Sequence, residues 1–163
     1  MVVGSAESVA AGAYRALILY LNTPARSGAP AGIQLAGGLD TGGSPFAHRP
    51  TLDQEVDYGF RAVVGPGATD VYFSAVSYVT GAGTQPVGTD PYVGSGTKTG
   101  TVVTTTALLT GTRVAYTNTA SLAANTANTG FEFEVPLSVL NSTTTVGAGS
   151  RLDLFATFID SNG

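Results

Sequence analysis

Few side chains in this chain are able to do chemistry. The one histidine, His48, stands in Phe46-Ala47-His48-Arg49-Pro50, and with no cysteine in the sequence a nucleophilic dyad would have to be Ser–His or Thr–His. No Gly-x-Ser-x-Gly elbow accompanies it, and the neighbouring Arg49 disfavours the imidazolium. His48 therefore reads as a loop residue making local hydrogen bonds. The carboxylates come in i,i+2 pairs, Glu132 with Glu134 and Glu55 with Asp57. Strand rise alone sets the members of each pair roughly 7 Å apart, inside the roughly 5–9.5 Å that glycoside hydrolysis requires. Side chains projecting in parallel from one strand do not flank a scissile bond from opposite sides. The chain is accordingly not read as an enzyme, and a fragment of a glycoside hydrolase stays as an alternative.

Asp53, Glu55 and Asp57 are candidate ligands of a structural calcium ion, with Asp40 and Asp90 in neighbouring Gly-rich stretches. Calcium takes about six to eight oxygens from carboxylates and carbonyls, although no EF-hand spacing is present. No other cofactor is expected. Tyr72 and Tyr78 share one face of a predicted strand, and Tyr14 and Tyr20 share a face of another. Such rings can stack on sugars while amides and hydroxyls bond the sugar rims, which makes a carbohydrate-binding module the first alternative. The plainer account is that the rings fill the second side of a covered sheet.

These residues need strands to position them. Residues 14–22 are apolar on both faces, as a central strand covered on both sides would be, and Thr23-Pro24 ends the run. Residues 25–50 hold too many Gly and Pro for more than a short strand at 33–35, so they form a long loop, the feature expected to face a function or a partner. Residues 52–64 alternate, with Val56, Tyr58, Phe60 and Ala62 on a buried face and Glu55, Asp57, Gly59 and Arg61 on a wet one. Gly65-Pro66-Gly67 turns the chain into a hairpin partner over 70–79. Short strands follow at 101–106 and 112–118, and 120–128 is either a helical turn or a loop. Phe131, Phe133 and Val135 alternate with Glu132 and Glu134, residues 136–140 turn, and 150–159 close as a strand apolar on both sides toward its end.

That pattern gives seven to nine strands and no firm helix: an all-β fold, an antiparallel two-sheet β-sandwich of jelly-roll or immunoglobulin-like type. A length of 163 residues fits a single domain over 1–163, read as an excised module of a longer secreted protein that continues past Asp160-Ser-Asn-Gly163. Charged residues are 11% and hydrophobic ones 43%, which excludes a disordered chain, and 22 Gly with 23 Thr fit strands and turns. A net charge of −4 with no basic cluster excludes a nucleic-acid partner. No run of 18 apolar residues exists, so no membrane insertion is expected.

The segment Gly130-Phe-Glu-Phe-Glu-Val-Pro-Leu-Ser-Val-Leu140, followed by the strand Arg151-Leu-Asp-Leu-Phe-Ala-Thr-Phe158, resembles late strands of DOMON-like and family 9 carbohydrate-binding-module sandwiches. The run from Ala16 to Asn22 looks like an earlier strand of such domains, and with residues 52–60 the whole is similar to secreted and surface modules of Bacteroidetes-type bacteria. The chain has no Trp, and only Met1 and His48 as haem-type ligands, so neither a tryptophan sugar clamp nor haem comes with the resemblance. The function expected is a non-catalytic module at the bacterial cell surface or in the extracellular space, serving adhesion or structural assembly, such as a filament or layer subunit. Its partners would be other copies, neighbouring domains of the same protein, or a polysaccharide.

Overall fold

The computed structural model describes residues 2–3, 14–35, 49–67, 69, 71–79, 92–99, 102–104, 110–117, 130–141 and 145–159. Among these the chain runs β1 (Val2–Val3), β2 (Arg15–Asn22), β3 (Tyr58–Val64), β4 (Val71–Ser77), β5 (Tyr92–Gly96), β6 (Val103–Thr104), β7 (Arg113–Thr117), β8 (Gly130–Glu134), α1 (Leu137–Leu140) and β9 (Asp153–Ile159). One sheet has the order β5-β4-β3-β2-β9 and the other β1-β8-β7-β6, and every pairing is antiparallel. The all-β sandwich expected from strand periodicity is the observed architecture.

The two sheets meet through one apolar core. Leu17, Leu19 and Leu21 of β2, Phe60, Ala62 and Val64 of β3, and Val71, Phe73 and Ala75 of β4 face Val114, Tyr116, Phe131 and Phe133 of the other sheet. The rings of Phe60 and Phe133 lie 6.1 Å apart across that interface, and Tyr116 packs on Phe131 at 4.6 Å within the second sheet, tilted as aromatic pairs prefer. β8 buries Phe131 and Phe133 and exposes Glu132 and Glu134, the alternation its sequence shows. β2 is central, with Ala16 through Leu21 all buried, as a run apolar on both faces demands.

The far face of the five-stranded sheet is covered too. Ile18, Tyr20, Val76 and Tyr78 form a second cluster with Ala29, Leu35 and Val56 from the connection between β2 and β3. That connection is held by backbone bonds from Ala29 N–H to the Val56 carbonyl (2.8 Å), Val56 N–H to the Ala29 carbonyl (3.0 Å) and Leu35 N–H to the Pro50 carbonyl (3.0 Å). Gly28 permits the approach, since a Cβ there would collide with the Val56 carbonyl.

This cover corrects the reading of 52–64. Strand pairing starts only at Tyr58, and the face carrying Asp57, Gly59 and Arg61 is buried rather than wet. Polar residues on a strand mark a solvated face only when nothing lies over it; here the loop does, and Arg61 is accommodated by donating from Nε to the Ser74 hydroxyl at 2.9 Å. Residues 136–140, expected as a turn, contain the short helix α1, with Leu140 buried. The stretch 120–128, His48, Asp40 and Asp90 lie outside the described residues. Among the described residues no helix is long and apolar enough to cross a membrane.

Candidate functional site

The three acidic candidates for calcium are placed on different tasks. Asp57 is wholly buried, and its Oδ2 accepts from the Thr23 backbone N–H and from the Thr23 hydroxyl, both at 2.8 Å. Glu55 Oε1 accepts from the Gly28 N–H at 2.7 Å, and Asp53 is exposed. Among the described residues no three acidic or histidine side chains are grouped as metal ligands would be. Burial pushes the Asp57 carboxyl above the usual carboxylate range, against the pull of its two Thr23 bonds, and its Oδ1 is buried with no partner.

Nor do the tyrosines share a platform. Tyr20 and Tyr78 are buried in the cluster under the loop, Tyr14 is half-buried, and of the four only Tyr72 is exposed. Burial raises the Tyr20 phenol well above its ordinary value. Glu132 and Glu134 stand on the outer face of β8; Glu134 pairs with Arg113 at 3.0 Å, beside a depression of about 50 Å³.

The feature that stands out is β9, the edge strand of the five-stranded sheet. Its inward side chains Leu154, Ala156 and Phe158 lie opposite Leu21, Leu19 and Leu17 of β2, and its outward ones Phe155, Thr157 and Ile159 lie opposite Tyr20, Ile18 and Ala16. Pairing to β2 satisfies one side of the strand. Among the described residues no strand lies on the other side, and Leu154 (48%), Phe155 (38%) and Phe158 (40%) of the strand, with Leu152 (41%) just before it, are exposed. Both faces of this edge are therefore apolar and open. The outward Phe155 ring is stacked on buried Tyr20 at 6.2 Å, which holds it against the sheet.

Beside the edge the two sheets part. A recess of about 160 Å³ lies between them, lined wholly by apolar side chains: Leu19, Leu21, Phe60, Phe133, Val135, Leu140, Leu152 and Leu154. The opposite side of the sandwich is closed: β5 lies against β6, with Gly94 so near Val103 that a Cβ would collide, and Thr99 bridges to Thr117. A long apolar edge is what proteins normally blunt with charge, proline or a covering loop. On β9 the one charged residue is Asp153, engaged by Arg151 Nε at 2.6 Å.

Compared with known proteins, the chain matches no family model, no curated protein and no solved structure. The resemblance to DOMON-like and family 9 sandwiches thus stands on the residues that carry it.

Sequence reasoning had not singled out Leu152, Leu154, Phe155 and Phe158 as site residues. Their signal was present, a strand apolar on both faces, but the same pattern describes a doubly covered central strand such as β2. Only strand order tells the two apart.

Proposed function

We propose that this chain is a non-catalytic structural module that assembles through the free β9 edge, within an extracellular or cell-surface bacterial architecture. The observation that supports it is the seven-residue edge strand with apolar side chains exposed on both faces. An added strand would gain main-chain hydrogen bonds along β9 and bury alternate side chains on each side of the sheet, the way sheet edges recruit partners. Leu154 and Phe158 on the inner face, Phe155 on the outer and Leu152 just before the strand together put on the order of 300 Å² of apolar surface at this edge. Low charge, abundant Thr and Gly and the lack of cysteine are in keeping with such an external module. The placement of Tyr20 and Tyr78 in the interior favours this reading over a tyrosine platform for sugars.

Hydrogen exchange of the β9 backbone amides, followed over a concentration series, tests it. Outward-pointing amides of β9 exchange quickly when the chain is dilute; assembly slows these alternate amides within residues 153–159 and leaves the β4 amides unchanged. Fast exchange along β9 at every concentration, with or without the neighbouring parts of the protein, contradicts it.

A further inference from the structure

Resting on the assembly reading, we propose that the partner of β9 is β9 of a second copy, paired antiparallel about a twofold axis at Phe155, so that the two five-stranded sheets become one continuous sheet of ten strands.

The strand is complementary to itself in this register. Residues facing each other across a twofold share a face of the sheet, so the axis must pass at a residue pair formed by one position and its copy. With the axis at Phe155, Phe155 meets Phe155 on the outer face and Asp153 meets Thr157. On the inner face Leu154 meets Ala156, and Leu152 meets Phe158. A carboxylate then faces a hydroxyl able to donate to it, a large side chain faces a small one, and the aromatic pair lies at the centre, all combinations that stabilise cross-strand neighbours. Moving the axis to Ala156 would place Asp153 against Ile159, a carboxylate beside an isoleucine with no donor opposite it.

Charge supports the same occupant. Two copies that each carry −4 would repel at a charged surface, but Asp153 is already neutralised by Arg151 of its own chain, and the rest of β9 is uncharged. The recess adds a second fit. In the Phe155 register, Phe158 of the second copy stands beside Leu152, at the mouth of the apolar space bounded by Leu19, Phe60, Phe133, Leu140, Leu152 and Leu154. An apolar recess of about 160 Å³ gains from an aromatic side chain rather than from water. Because the same edge serves both copies, this contact closes at two; among the described residues the β5 side is packed against β6 and offers no matching edge.

The chain's lack of cysteine makes single-cysteine crosslinking a direct test. Phe155→Cys, Ala156→Cys, Leu154→Cys and Thr157→Cys are each placed on exposed or half-exposed β9 positions, and unchanged far-ultraviolet dichroism shows that they fold. Under mild oxidation, Phe155→Cys alone gives the fastest disulfide-linked dimer. An equal mixture of Leu154→Cys and Ala156→Cys gives the mixed dimer in several-fold excess over either like pair. Light scattering on the unmodified chain, run in parallel, separates the ways of failing. Dimers or larger species whose crosslinks peak at Ala156, or show no preference, overturn the Phe155 twofold while leaving assembly through β9 standing. A monomer at every concentration, with no position crosslinking, overturns self-pairing altogether, and a loss of β9 protection in the exchange experiment would then overturn the assembly reading as well.

Discussion

Asp57 shows how one residue can be polar in type and structural in role. It sits wholly inside, with Oδ2 held by two donors of Thr23 and Oδ1 unpartnered, and burial raises its carboxyl above the ordinary range. A carboxyl whose folded value lies above its unfolded one takes up a proton on folding. Its contribution is fully present below the unfolded value, near 4, and is lost as pH rises through the raised value. Asp57→Asn removes this titration and keeps an oxygen for Thr23. Urea unfolding at a series of pH values is expected to show the wild type gaining on the Asn variant as pH falls from 7 toward 4; a difference that is constant with pH contradicts the assignment. Thr23→Val takes away one donor to a buried carboxylate and is expected to cost about 2 kcal/mol. Alternation places Asp57 on a solvated face because it reports which residues share a face and is silent about what lies over it. The cover comes from residues 25–35, whose Gly and Pro content reads as loop and hides their packing role.

At the scale of elements, β2 and β9 illustrate the limit of reading strands from pattern. Both are apolar on both faces, yet β2 is buried from Ala16 to Leu21 while β9 is half open. Position in the sheet decides, and position depends on long-range pairing that no local window contains. β8 was legible for the opposite reason: its Glu132 and Glu134 alternate with buried Phe residues against one sheet only. The contrast predicts where mutation hurts. Tyr20→Ala empties a fully buried site and should cost about 4 kcal/mol in denaturant unfolding. Phe158→Lys changes a part-exposed edge position and should cost less than Tyr20→Ala, about 2 kcal/mol of monomer stability. Gly28→Ala drives a Cβ into the Val56 carbonyl and should cost about 2 kcal/mol, measured the same way, because the backbone there has no side chain to swing aside.

Among the described residues the molecule is a sandwich closed along the β5 and β6 side and open along β9, with an apolar recess between the sheets at the open side. The closed side carries Lys98, which donates to the Gly65 carbonyl; β9 on the other side carries only the charge of Asp153, paired with Arg151. On the proposed reading, this asymmetry directs association to one edge. Whether β9 joins copies of the chain is read from the molar mass by light scattering after size exclusion, for the wild type and Phe158→Lys over a hundredfold range of concentration. The account predicts a wild-type mass rising from 16.4 kDa to twice that value, and a Phe158→Lys protein of unchanged fold that stays at 16.4 kDa throughout. A wild type that stays monomeric over the whole range, or a Phe158→Lys variant that associates as the wild type does, would contradict it.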